Sequence, residues 1–209
     1  MHYQNRLLIG AVVIVAYILL PTAVLSAEGR VLTGTDDDAQ LPFWEWRNEA
    51  MSLRLVQRLP DQTRAFFMAR GFSKEHAEII AQSCIFQTVY KNISTAARPS
   101  VIEYDLRQWK VLHKGKALPL KTKEVWQEQW EKANAAQAVQ IAFLWSLIPT
   151  QQRYQPQDYN WGMTSYNLPP GEKFDLQLVW QQDGEKQTTT IQDIECAPDI
   201  HPDPENPFG

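Results

Sequence analysis

The chain has 209 residues, of which 44% are hydrophobic and 21% are charged, and its formal net charge is −4. A chain of this length can bury roughly 70% of its unfolded surface, so it needs no metal ion or disulfide simply to fold. The acidic balance and the lack of any basic run exclude a surface that follows a phosphate backbone, and no nucleic-acid partner is expected.

Residues 1–27 form the predicted export segment. Arg6 is the only Lys or Arg before an apolar run at residues 7–20, and small residues follow this run. This order is typical of a signal peptide. Residues 7–27 are also uncharged and long enough to span a bilayer as an apolar helix, with membrane contact through residues 7–27 if the segment is retained. We therefore predict either a cleaved signal peptide or a membrane anchor whose N-terminus lies in the cytoplasm.

Both alternatives place the rest of the chain outside the cytoplasm, in the periplasm, secreted, or held at the membrane by one span. Residues 28–42 contain glycines, a proline and consecutive aspartates, and this composition predicts a linker.

A helical segment is predicted over residues 43–98, because apolar residues there are interspersed with charged ones and punctuated by helix signals. The predicted helices are residues 44–59, a short helix opened by Pro60 and ended by Gly71, and residues 74–92 capped by Ser73. The third helix has apolar positions every three or four residues, at Ala77, Ile80, Ala81, Cys84, Ile85 and Thr88.

Residues 99–197 are predicted to be rich in strands. Extended segments are expected at residues 101–106, 108–113 and 117–120, followed by a short amphipathic helix at residues 122–133. Residues 138–148 alternate in a way that favours a strand, although an apolar run of this length is also compatible with a buried helix.

The strongest strand signal is a C-terminal hairpin. Residues 174–180 alternate, Asp183-Gly184 suits a type I′ turn, and the returning strand places Ile191 opposite Leu176. A bulge is expected near Asp193, where the alternation shifts. Residues 198–209 contain acids and prolines without any Lys or Arg, and they are predicted to form a disordered tail.

The predicted fold class is therefore α+β. An N-terminal helical hairpin packs on an antiparallel β unit, with a sandwich as one arrangement of that unit, and an apolar helix precedes both. Residues 43–98 and 99–197 are expected to form one folded unit.

Cys84 and Cys196 are the only cysteines, and an exported chain usually pairs two cysteines in a disulfide. The weaker alternative is a metal site formed by His76, His201, Cys84 and Cys196. No CxxC or HExxH spacing supports that site, so no metal and no other cofactor is expected.

Catalytic motifs are also missing from the sequence. There is no GxSxG, no glycine-rich phosphate loop and no paired carboxylate signature, so we expect no enzymatic activity and assign no catalytic residue.

One segment stands out as a candidate for binding. This segment mixes aromatic residues with amides and has no regular spacing; its aromatic residues are Tyr154, Tyr159, Trp161 and Tyr166. Such a mixture predicts an ordered binding loop. The sequence thus favours a non-enzymatic extracytoplasmic accessory or assembly protein of the cell envelope, with another envelope or membrane protein as partner. The alternatives are a module that binds a small ligand or carbohydrate through the Tyr154–Tyr166 loop and, third, a metal-handling protein.

Overall fold

The computed structural model describes residues 28–200 and, for the backbone alone, Leu25–Ser26. The predicted signal peptide or anchor therefore lies almost entirely outside the described residues, as do residues 201–209 of the predicted tail. No helix in the described part of the chain is long and apolar enough to cross a bilayer.

The described chain is a mixed α+β structure with antiparallel sheets and four α-helices. The strands are β1 (Leu25–Ser26), β2 (Arg30–Thr35), β3 (Pro42–Arg47), β4 (Met51–Gln57), β5 (Ile85–Asn92), β6 (Ile102–Asp105), β7 (Lys110–His113), β8 (Lys116–Pro119), β9 (Gln151–Tyr154), β10 (Tyr159–Ser165), β11 (Lys173–Gln182) and β12 (Glu185–Glu195). The helices are α1 (Pro60–Met68), α2 (Lys74–Ala81), α3 (Lys123–Lys132) and α4 (Gln137–Ser146), and a 3₁₀ turn covers Leu106–Gln108.

The strands form two sheets. The five-stranded sheet has the order β10-β5-β4-β3-β2 and is antiparallel throughout. The seven-stranded sheet is built around the β11–β12 hairpin, with β6 and β7 both pairing to β11, and the two-residue β1 pairing in parallel with β12.

The inner faces of the two sheets share one aromatic-rich hydrophobic core. The rings of Trp46 and Trp180, from opposite sheets, lie 5.0 Å apart at their centroids, and those of Tyr90 and Tyr104 lie 4.8 Å apart. Trp44 Nε1 donates across the core to the carbonyl of Asp193. Such contacts fix the two sheets against each other as a sandwich.

The four helices lie outside the sandwich, where they form a second apolar cluster. This cluster contacts Met163 of β10, and its fully buried aromatic residues are Phe67 of α1, Trp126 and Trp130 of α3, and Phe143 of α4. Because β10 belongs to the five-stranded sheet, the helices cover one end of that sheet's outer face and leave the other end open.

The predicted N-terminal helical segment is wrong for most of its length. Residues 44–59 form β3 and β4, whose inner positions Trp44, Trp46, Leu53 and Leu55 follow the two-residue period of a strand. The helices α1 and α2 instead lie in the connection between β4 and β5 of the five-stranded sheet. Pro60 does open α1, and Gly71, with φ of +88°, follows its end as expected.

The predicted helix 74–92 is correct only in its first half. Ser73 caps α2 by accepting a hydrogen bond from His76 N, but α2 ends at Ala81 and Cys84 adopts φ of +49°. From Ile85 onwards the β-branched and aromatic residues favour β5 over a continued helix.

Two further segments differ from the structure that their sequence favours. The predicted linker 28–42 contains β2, which pairs along its whole length with β3. Of the two structures left open for residues 138–148, the helix is the one found: they contain most of α4, in which Val139 and Phe143, four positions apart, face the helical cluster while Ile141 and Trp145 point outward.

Several predictions in the C-terminal half are confirmed. Residues 122–133 contain α3, and the hairpin runs over β11 and β12 with Leu176 opposite Ile191. The register shifts between Phe174 and Leu176, and the bulge residue Asp193 has φ of +55°. The start of the predicted disordered tail differs from expectation, because the Asp199 carboxylate accepts hydrogen bonds from Arg64 and Gln82.

Candidate functional site

The predicted binding loop is in fact made of β9, which belongs to the seven-stranded sheet, and β10, which belongs to the five-stranded sheet, with their flanking turns. Its four aromatic residues divide into two pairs. Tyr154 and Tyr166 are buried in the sandwich core, at 1% and 0% exposure. Asn160 Nδ2 donates to the Tyr154 hydroxyl at 2.9 Å, and burial raises the pKa of Tyr154 to about 12. These two tyrosines therefore contribute to the core and are not accessible for binding.

Tyr159 and Trp161 form the other pair, and both are exposed on the outer face of the five-stranded sheet. Their exposed fractions are 64% and 68%. They lie two residues apart on β10, so their side chains project from the same face, on the side where Met163 reaches the helical cluster. An exposed tryptophan fixed on a strand is a rigid apolar platform.

Trp161 begins a row of side chains that crosses the sheet. The strand register places Trp161 beside Val89, Val89 beside Arg54, and Arg54 beside Glu45. Arg54 donates to Glu45 Oε2 at 3.0 Å and to Asp36 Oδ2 at 2.8 Å, so its charge is neutralised within the row.

The turn between β2 and β3 rises beside this row. Asp36 accepts backbone hydrogen bonds from Asp38 and Ala39, and the bond from Ala39, followed by that from Arg54, lowers the pKa of the Asp36 carboxyl. The turn is thus fixed by its own hydrogen bonds as one wall of a cavity.

A groove of about 430 Å³ lies between the turn and Trp161, and we call it the Trp161 groove. Its lining residues are Asp36, Asp38, Ala39, Arg54, Val56, Gln57, Arg58, Gln62, Gln87, Val89 and Trp161. The volume is within the range of roughly 300–1,000 Å³ that is common for small-ligand sites. One aromatic wall and a rim of amides, carboxylates and guanidinium groups converge on the same space.

Arg58 lines the groove with a guanidinium group that forms no ion pair within the described residues. Its Nε is buried without a hydrogen-bond partner among the described residues, and its guanidinium carbon lies 4.6 Å from the centroid of the Phe66 ring. Burial, and then the charge of Arg70, lower the pKa of Arg58. The guanidinium thus lines the groove as a desolvated cation.

The residues proposed for a metal site are not assembled as one. Cys84 and Cys196 form a disulfide, which removes both thiolates, and His201 lies outside the described residues. His76 packs near the Trp130 ring, with centroids 5.3 Å apart. Among residues 28–200 no group of three His, Cys, Asp or Glu side chains is placed to hold a metal ion.

The sequence indicates Trp161 as a binding residue but does not indicate the other sides of the groove. The signal for Arg54 and Glu45 was the alternation of residues 42–57, which as strands would have put both on the face opposite Trp44 and Trp46. Nothing local to the Asp36 turn shows that it lies beside Trp161. Comparisons of the chain with protein-family models, with curated proteins and with solved structures found no match.

Proposed function

We propose that this protein is a non-enzymatic, extracytoplasmic binding protein of the cell envelope, and that the Trp161 groove takes a carbohydrate. The observation that carries the proposal is the 68% exposed Trp161 beside a polar groove of about 430 Å³. A pyranose ring has an apolar face of C–H groups and a rim of hydroxyls, so it matches an aromatic wall that is flanked by amides and charged groups.

The polar groups of the groove suit recognition of hydroxyls. Gln62 and Gln87 line it with amide groups, and Asp38 offers an exposed carboxylate. Arg58 adds a guanidinium group. Of the two carboxylates that line the groove, Asp36 is paired with Arg54 at 2.8 Å and Asp38 is exposed in the same turn, which favours a binding role over a glycosidase-type carboxylate pair.

Two observations support the extracytoplasmic location. The disulfide between Cys84 and Cys196 is compatible with an oxidising compartment. The predicted export segment at residues 1–27 would deliver the chain there, either released or anchored.

The test is a glycan array followed by a titration of the glycan that binds. Trp161→Ala should weaken binding by more than about 1 kcal/mol while changing the thermal midpoint little, because the side chain is exposed. Trp145→Ala is the matched control, since Trp145 is 84% exposed on α4 and does not line the groove. Equal binding by the Trp161→Ala variant, or no bound glycan, would reject the groove as a carbohydrate site.

The second candidate function is docking of another envelope protein, and the outer face of α4 favours it. Ile141 and Trp145 are exposed there at 46% and 84%, and residues 137–146 include no charged side chain. A charge-free face with an exposed tryptophan resembles the centre of a protein interface. On this reading Trp145→Ala, and not Trp161→Ala, should weaken capture of a membrane-protein partner.

A further inference from the structure

A second cavity, of about 360 Å³, lies where the connection from β8 to α3 meets the segment after β10. We call it the Lys121 cavity. Its apolar lining comes from Pro119, Leu120 and Val125, and its polar lining comes from Arg107, Lys121, Thr122, Glu124 and Asn167. It shares no lining residue with the Trp161 groove.

The cavity has a fixed backbone frame. Lys121 N donates to the carbonyl of Ser165 at 3.1 Å, which joins the β8–α3 connection to the end of β10. Leu120 is buried in the sandwich core, and Val125 is 48% exposed at the surface of α3. One apolar wall is therefore rigid, and the cavity opens to solvent beside Val125.

The charges around the cavity leave one cation without a carboxylate. Arg107 is paired with Asp105 at 2.8 Å, and the Glu124 carboxylate accepts a hydrogen bond from Thr150 Oγ1 at 2.9 Å. The Lys121 ammonium forms no ion pair within the described residues and instead lies 3.4 Å from the centroid of the Trp126 ring.

The half-buried Lys121 is held where its charge is unfavourable. Burial lowers the pKa of Lys121 to about 8. The other titratable groups of this region, Lys123 on the first turn of α3 and Glu124, do not supply a counter-ion, and burial also lowers the pKa of Lys123. An anion brought to Lys121 would be stabilised by a charge that the protein leaves uncompensated.

We propose that the Lys121 cavity binds a small carboxylic acid with an apolar body. The carboxylate pairs with the Lys121 ammonium, and the hydrocarbon part contacts Pro119, Leu120 and Val125. The apolar wall selects against inorganic anions, which have no surface to bury there. The cation selects against alcohols and hydrocarbons of the same size.

Equilibrium dialysis of the full chain with isotope-labelled octanoate tests this site. Lys121→Met keeps the length of the side chain and removes its charge, and it should weaken octanoate binding about tenfold. Lys123→Met is the matched control, because it removes a neighbouring half-buried cation that does not line the cavity. Octan-1-ol should compete poorly. Binding should hold up to about pH 8 and weaken above it, as Lys121 loses its proton.

A second measurement uses the unaltered chain and needs no folded variant. The rate of acylation at Lys121, followed by peptide mass mapping, should fall severalfold with octanoate and not with octan-1-ol. Lys114, whose side chain is 70% exposed, reports any general effect. Unchanged labelling of Lys121, equal protection by the alcohol, or equal octanoate affinity in Lys121→Met would each overturn the proposal.

Discussion

Lys121 carries its charge against an aromatic ring and an apolar wall, with no carboxylate of the described residues paired to it. The contact with the Trp126 face offsets part of the desolvation penalty, since the ring presents negative potential to a cation. Burial nevertheless moves the pKa of Lys121 from its ordinary value of 10.5 down to about 8. The charged form is therefore less stable in the folded protein than in the unfolded chain.

This pKa shift predicts how stability depends on pH. Between pH 8 and 10.5 the unfolded chain binds the Lys121 proton and the folded chain does not, so folding is favoured as pH rises through that window. Below pH 8 Lys121 is charged in both states, so the full desolvation cost of its charge lowers the free energy of unfolding. Lys121→Met should therefore raise the free energy of unfolding at about pH 7 and lose this advantage towards about pH 10.5.

Urea unfolding of the variant and the parent at both pH values measures the difference directly. Other groups titrate equally in the two chains, so their contributions cancel. A gain in stability that is the same at both pH values would show that Met packs better, and that the charge of Lys121 carries no cost.

At the scale of single elements, the β11–β12 hairpin could be predicted because its signal is local. Asp183 and Gly184, with φ of +53° and +86°, occupy the turn that their residue types favour. Asp183 also accepts hydrogen bonds from Val101 N and the Ser100 hydroxyl, which no sequence pattern indicates. The Asp183-Gly184 turn fixes the register of the β11–β12 hairpin, and the hydrogen bonds to Asp183 further stabilise that turn.

The sequence of β3 and β4 favours one helix, because the charged residues between the apolar ones suit the solvent-facing side of a helix. The structure shows that the same residues form an open sheet face, with Glu45 and Arg54 paired across neighbouring strands. The period of two, together with Asn48, whose side chain accepts from Ala50 N and Met51 N in the turn, was the better signal. For α4 the alternation at residues 138–148 favours a strand, but the same run also has apolar residues four positions apart, which suit a helix.

One arginine connects three elements of the helical layer. Arg64 of α1 pairs with Asp61, with Glu78 of α2, and with Asp199 of the C-terminal segment, and its side chain is 15% exposed. The hydrogen bond from Arg64 is the largest cause that lowers the pKa of Glu78. The ion pair with Glu78 therefore stabilises the fold fully above the ordinary pKa of a glutamate, and this contribution is lost as pH falls through the lowered pKa of Glu78.

Arg64→Met should cost about 2 kcal/mol of unfolding free energy near neutral pH, because hydrogen bonds to a charged group are lost and carboxylates are left facing each other. Urea unfolding at about pH 7 and about pH 3 checks this, and the loss should shrink at the lower pH. Arg98→Met is the matched control, since its pair with Glu49 is 77% and 81% exposed and should contribute almost nothing. Equal effects of the two substitutions would contradict the assigned role of Arg64.

For the whole molecule, the general class and the disulfide could be predicted, whereas the candidate site could not. The Trp161 groove combines the turn at Asp36, the sheet position of Arg54, the start of α1 and β10, which are far apart in sequence. Their proximity depends on the strand order β10-β5-β4-β3-β2, and a single sequence contains no local signal of strand order. The composition of residues 154–166 therefore indicates an aromatic binding surface, whereas the polar side chains opposite Trp161 can be located only from the strand order.

The disulfide acts at this same scale, because it joins the two sheets. Cys84 directly precedes β5 of the five-stranded sheet and Cys196 directly follows β12 of the seven-stranded one, and their separation in sequence is 112 residues. Closing so long a loop restricts the unfolded chain strongly, and removing such a bond typically costs about 2–5 kcal/mol. Both cysteines are buried, at 4% and 0% exposure, so a reductant reaches the bond slowly in the native state.

Replacing Cys84 and Cys196 together by Ser should therefore lower the free energy of unfolding by about 2–5 kcal/mol, measured by urea denaturation against the parent under oxidising conditions. Adding a reductant should lower the stability of the parent to near that of the double variant and leave the variant unchanged. The buried serine hydroxyls add a smaller cost that reduction alone does not produce. A parent whose unfolding midpoint is the same with and without reductant would show that the bond does not connect the two sheets in the native protein.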